Sequence, residues 1–189
     1  MLSIFRQKQA RILRIVRKIH RIFGIWLFLF LFVTGATGLL LGWKKNSFGL
    51  ILAETTSGVS RDVQDFLRLD TLISISENHA RLHFQNGEHE IDRIEVRPDK
   101  GIVKVNFKNN YKGLQIDATN GKILKVESRN SDLIEHIHDG SWFDRTFGLS
   151  SGIFKLIYTS LCGIGLIVFT VSGFWLWYGP KLIRRHHEE

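Results

Sequence analysis

The sequence predicts an α+β membrane protein: two transmembrane helices flanking a small domain of one helix and an antiparallel meander. Three observations carry this. Between Arg21 and Lys44 lie 22 uncharged residues, and between Lys155 and Lys181 lie 25 more. Each run can cross about 30 Å of hydrocarbon at about 1.5 Å per helical residue. From Glu90 onward, apolar residues recur with period two, as in half-buried strands. A chain of 189 residues that is 44% apolar suits one domain or a little more, but the two runs exclude an ordinary soluble protein.

Residues 1–21 form the first segment. They carry seven cations (Arg6, Lys8, Arg11, Arg14, Arg17, Lys18 and Arg21) and no acid. Interleaved with Ile4, Phe5, Ile12, Leu13, Ile15, Val16 and Ile19, these cations read as a basic amphipathic helix. It either lies on the membrane surface or continues into the first span. Span one covers 22–43 and ends at Trp43, an interfacial aromatic. The uncharged stretch is too long for a typical signal h-region and no A-x-A site follows it, so it reads as a retained anchor. Gly38 and Gly42 form a GxxxG pair with Gly35 nearby, spacing that lets helix backbones approach.

Residues 44–152 form the extramembrane part. Ser60 to about His79 reads as a helix, with Ser60 as a cap and Val63, Phe66, Leu67, Leu72 and Ile73 roughly helix-spaced. Strands follow around Ile91–Val96, at Ile102–Phe107, at Gly113–Asp117 and at Lys122–Glu127, separated by turn signals such as Pro98-Asp99-Lys100-Gly101. Span two covers 153–178. It places Gly163, Gly165 and Gly173 along its length and an aromatic belt of Trp175, Trp177 and Tyr178 at its end. Gly179-Pro180 then ends the helix, and 179–189 form a tail.

The charge is uneven. The net +8 lies entirely in the two tails, because residues 22–180 hold 16 cations and 16 acids. Basic tails beside spans follow the positive-inside pattern and predict both termini cytoplasmic, with the central domain across the membrane. Charge placed this way orients a chain in lipid and advertises no nucleic-acid groove. Neither span holds Asp, Glu, Lys or Arg, which argues against a proton relay or a charged filter. The single Cys162 permits no intrachain disulfide.

The chemistry-bearing residues are histidines. There is no phosphate loop, HExxH, CxxC or G-x-S-x-G. His20 sits where the basic segment meets the first span, where an imidazole could ligate a haem iron held between helices. From residue chemistry alone, an interfacial base touching lipid phosphate is favoured. His136 and His138 precede span two. On a helix they point about 200° apart and share no metal, whereas on an extended segment they would. Asp139 is placed to orient a ring nitrogen of His138. His79 and His83 have a helical i,i+4 spacing, weakened by Arg81 and the strand-like residues after it. His186 and His187 in the tail read as solvated. Because His20 and His138 belong to opposite membrane faces, they cannot clamp one iron. A homodimer would make a four-helix bundle with paired histidines at either face.

Three segments resemble the PepSY-associated transmembrane family. Lys18-Ile19-His20-Arg21-Ile22-Phe23-Gly24, running on to Thr34-Gly35-Ala36-Thr37-Gly38, is similar to that family's first helix. Leu114–Leu124 resembles the PepSY hairpin, with Asn120 inserted in its Thr-Gly turn. Ile137-His138-Asp139-Gly140 and Ser172-Gly173-Phe174-Trp175-Leu176-Trp177 resemble its "Leu-His" segment and closing helix.

The resemblance implies a bacterial inner-membrane protein with a periplasmic PepSY domain. It further implies a link to iron and siderophore uptake, with haem b as a cofactor. It makes His20 and His138 the leading haem-iron ligands, with His136 as a further cofactor-binding candidate. Larger relatives look like ferric-siderophore reductases and have more spans than this chain. The implied partners are a second copy or a larger membrane complex, and a ferric siderophore or a periplasmic protein. The alternative implied role is a membrane-anchored peptide- or protein-binding regulatory module, or an accessory subunit of a larger membrane complex, without redox activity.

Overall fold

In a computed structural model, residues 2–84, 89–108, 110–149 and 151–188 are described. The elements are α1 (Leu2–Gly42), α2 (Leu69–His83), β1 (Ile91–Arg97), β2 (Ile102–Phe107), β3 (Lys112–Asp117), β4 (Ile123–Ser128), α3 (Asn130–His138), α4 (Ser141–Phe147) and α5 (Ile153–Glu188). They form two compact units. One comprises 1–38 with 137–189, and the other comprises Leu39–His136.

The first unit is a pair of long helices. Gln7–Gly42 and Ile153–Arg184 are both long and apolar enough to cross a membrane. Their packing follows a seven-residue step. Leu13, His20, Leu27 and Thr34 on α1 meet Gly179, Ser172, Gly165 and Tyr158 on α5. A seven-residue repeat on both helices keeps one seam facing the partner. Three of the four α5 positions are Gly or Ser, so the backbone admits the larger α1 side chain. Leu27 lies so close to Gly165 that any added Cβ would displace it. Among the described residues, Leu13, Leu27, Tyr158 and Ser172 of the seam are buried. Ile25, Trp26, Phe28, Leu29 and Phe32 point outward, as lipid-facing residues do.

The basic segment forms no separate surface helix: it continues α1 without a break. Nor does Gly179-Pro180 end α5, which carries Pro180 inside it. A proline removes one backbone donor. Here Leu13 packs on Gly179, and the Lys181 ammonium sits 3.6 Å from the Trp177 ring centroid one turn back. Both contacts favour helix across the proline. At the other end of α5, the buried Asp144 of α4 accepts hydrogen bonds from the backbone N–H groups of Phe154 (3.1 Å) and Lys155 (2.8 Å), capping the helix.

The second unit is an antiparallel sheet in the order β1-β2-β3-β4. Val103, Val105 and Phe107 alternate onto one face; Val103 pairs with Ile116 and Val105 with Leu114, and Phe107 with Ile91. Leu72 and Ala80 of α2 join them in the core. The other face is polar yet buried: Lys104, Asn106, Gln115, Asp117 and Glu127 all lie under 9% exposed. An extended segment crosses it. Gln115 accepts from the Thr56 N–H and hydroxyl (2.7 Å each) and donates to the Glu54 carbonyl (3.0 Å). Asp117 accepts from the Val59 N–H (2.9 Å). Burial of these groups is tolerated because nearly all are paired.

The predicted helix at Ser60–His79 therefore starts later, at Leu69. Residues before it bond to the sheet instead: Gly58 N–H to Lys100 O (2.8 Å) and Leu67 N–H to Ala118 O (2.8 Å). The only helical stretch there is a single 3-10 turn at Val63–Asp65. The four strands fall within one or two residues of the predicted positions.

Candidate functional site

The seam that packs α1 on α5 also positions two imidazoles. His20 occupies the same seven-residue row as Leu13 and Leu27, so it faces α5. Its Nδ1 lies 2.7 Å from the Ser172 hydroxyl. Phe169 meets the ring edge-on, with centroids 4.9 Å apart and planes at 86°. A Cβ at Gly173 would lie 3.9 Å from His20 Cε1, an ordinary contact.

His138 is the last residue of α3. Its Nδ1 lies 2.9 Å from the Thr37 hydroxyl on α1. A Cβ at Gly38 would stand 3.2 Å from His138 Cε1, so the absence of a side chain there gives the ring its place. One turn earlier on α1, the Thr34 hydroxyl meets Tyr158 OH at 2.9 Å and the buried Cys162 Sγ at 3.6 Å. Both imidazoles are thus held through Nδ1 by a helix hydroxyl. Neither Nε2 makes a hydrogen bond among the described residues, and neither is an enclosed orphan atom.

Asp139 does not orient the His138 ring. Its carboxylate pairs with the Lys155 ammonium at 2.6 Å and accepts from the Ser141 N–H and hydroxyl (2.9 and 2.6 Å). Burial raises its pKa, but Lys155 and Ser141 outweigh that and hold it below the usual carboxylate value. The orienting group is Thr37, 101 residues away in sequence, which no local motif announces.

His136 has a different partner. It belongs to the unit with the sheet, where its Nδ1 lies 3.0 Å from Tyr111 OH. The two histidines are on a helix, not an extended segment, so they share no metal, as the 200° spacing requires. His79 and His83 both fall on α2, with ring centroids 4.3 Å apart. Burial first, then the His83 charge, lowers the His79 pKa. Among the described residues no group of three or more His, Cys, Asp or Glu could hold a metal ion. The side chains of His186 and His187 lie outside the described residues.

The glycines divide into two sets. Gly38 and Gly165 are packed against side chains and Gly173 is in ordinary contact, whereas Gly35, Gly42 and Gly163 meet nothing within 4 Å. Two further packing glycines, Gly24 against Phe169 and Gly179 against Leu13, fall outside the GxxxG pattern. For Gly179 the signal is the seven-residue step shared with α1; Gly24 lies outside that row.

Residues 2–179 match the family described as PepSY-associated TM region. Comparison with curated proteins gives no match.

Proposed function

Because the chain belongs to the PepSY-associated transmembrane family, we propose that it is a haem-b-binding redox subunit of the bacterial inner membrane, linked to iron or siderophore uptake. It works as a homodimer, with both termini cytoplasmic and the sheet domain periplasmic. The observation that carries this reading is the pair of Nδ1-anchored imidazoles on one helix seam. His20 and the Thr37 partner of His138 stand about 26 Å apart along α1, at about 1.5 Å per residue. That separation defines two levels across the bilayer.

The residues fit an iron porphyrin in kind. Each level offers a ring nitrogen that makes no hydrogen bond among the described residues, which is the donor that haem iron takes. Arg17 and Arg21 beside His20 are exposed and suit propionates. One chain would supply one imidazole per level, and a second copy would supply another, in a four-helix bundle. Gly35, Gly42 and Gly163 leave open backbone for that approach. When bound, haem supplies one-electron transfer. The protein's own part is to hold each imidazole and surround it with apolar helix. The electrons would reach a periplasmic ferric complex.

Protein purified from haem-replete cells is expected to be red, with a Soret band reduced in His20→Ala and in His138→Ala. A colourless, folded preparation would overturn the reading. Native mass in mild detergent distinguishes a dimer from a hetero-complex.

A second reading, a peptide- or protein-binding regulatory module, is favoured by one observation. β4 is an edge strand and Val126 on it is 49% exposed, so a peptide strand could add there. Crosslinking from β4 to a periplasmic partner in a haem-free protein would support it.

A further inference from the structure

The two histidines share a feature beyond their position: the hydroxyl beside each has already committed its proton. Ser172 Oγ lies 2.5 Å from the Val168 carbonyl, four residues back on its own helix. Thr37 Oγ1 lies 2.6 Å from the Val33 carbonyl, also four residues back, and 3.2 Å from the Thr34 carbonyl. A carbonyl only accepts, so each hydroxyl donates to it, as Ser and Thr in helices do. A hydroxyl has one proton. Towards the imidazole it can then offer only a lone pair, so the ring nitrogen must be the donor.

We propose that Ser172 and Thr37 are positioning residues that hold His20 and His138 as Nδ1–H tautomers, each presenting its Nε2 lone pair as the iron-ligating atom. Which ring nitrogen carries the proton is set by the hydrogen bond the other partner makes. Free imidazole side chains in water favour the opposite, Nε2–H form, so the assignment is not the default. Metal-ligating histidines commonly donate their second N–H to an oxygen acceptor, which fixes the ring and raises its basicity. Here the acceptor is a hydroxyl, made one-directional by its own helix backbone. The same device occurs at both ends of the seam, on α5 for His20 and on α1 for His138. The Phe169 edge and the bare Gly38 backbone then set the two ring planes.

The iron part of this assignment rests on the haem reading, but the tautomer does not, so the two can fail separately. The test is nitrogen NMR of full-length, haem-free protein with 15N-labelled histidine, at a pH where the rings are neutral. Both His20 and His138 are expected as Nδ1–H. Ser172→Ala and Thr37→Val should move their own histidine to Nε2–H and leave the other unchanged. Thr37→Ser and Ser172→Thr should restore Nδ1–H, which a merely structural role would not predict. Haem titration follows the same variants, with affinity expected to fall about 10–100-fold when the hydroxyl is removed and to recover in the conservative pair. Nε2–H rings in the wild type would overturn the assignment even if haem binds. Nδ1–H rings that follow the hydroxyls, in a protein that takes no haem, would sustain the positioning role and sink the haem reading.

Discussion

Thr37 and His138, 101 residues apart in sequence, are joined by a 2.9 Å hydrogen bond, and the residue after Thr37 is a glycine. A methyl group at Gly38 would stand 3.2 Å from His138 Cε1. Gly38→Ala is therefore expected to push the ring and cost about 1–2 kcal/mol by overpacking. Thermal unfolding in detergent measures it. A Gly38→Ala protein as stable as wild type, with its His138 signals unmoved, would contradict the contact.

Gly35 and Gly42 make the converse case. A Cβ at either meets nothing within 4 Å, so alanine there should not lower the stability of the folded chain, and at Gly35, inside α1, helix propensity favours it by about 0.5–1 kcal/mol. Association is the sensitive readout. If these faces meet a second copy, native mass of the haem-free protein should show the dimer weakened in Gly35→Ala/Gly42→Ala.

Gly140 is constrained twice. Its φ is +78°, a region that costs an L side chain about 1–2 kcal/mol, and an added Cβ would lie 2.9 Å from Tyr158 Cγ. Gly140→Ala should lower stability by about 2 kcal/mol or more, read as a reduced unfolding midpoint. Gly148→Ala isolates the backbone part, because φ is also positive there but nothing lies within 4 Å.

On the buried polar face of the sheet, Lys104 pairs with Glu127 at 3.4 Å, with side chains 10% and 7% exposed. Gln115 also donates to Glu127. Lys104→Met leaves a buried carboxylate short of its counter-charge, and breaking a buried pair typically costs about 3–5 kcal/mol. The Lys104→Met/Glu127→Leu double variant should regain part of that loss. A cycle of denaturant midpoints checks the sign.

His79 gives a pH dependence. Burial and the His83 charge set its folded pKa below the ordinary histidine value. Between that lowered value and about 6.5 the unfolded chain binds more protons. Stability present above about pH 6.5 is thus lost as pH falls toward the folded value. The unfolding midpoint should drop from pH 7.5 to 5.5, less so in His83→Gln and least in His79→Gln. An unchanged pH slope in His79→Gln would rule the histidine out as the cause.

Much of this was legible locally. Two uncharged runs determine the spans, because hydrocarbon tolerates no exposed charge and 22 residues suffice to cross it. The alternation in Ile102–Phe107 determines a strand, because side chains in a strand point to opposite faces in turn. His20 and His138 could be picked out as candidates, by residue type and position. What the sequence could not determine is which neighbours these residues meet. The start of α2 was lost to hydrogen bonds between residues 58–67 and the sheet. The end of α5 was moved beyond Pro180, where Leu13 packs on Gly179. Glycine spacing marked Gly35 and Gly42 as readily as Gly165, yet only Gly165 meets a side chain. The hydroxyls of Ser172 and Thr37 stand 152 and 101 residues from their imidazoles. Local propensity acts over a few residues, whereas a helix seam is decided by packing between segments far apart in the chain. That packing, and no motif, placed a lone pair beside each histidine.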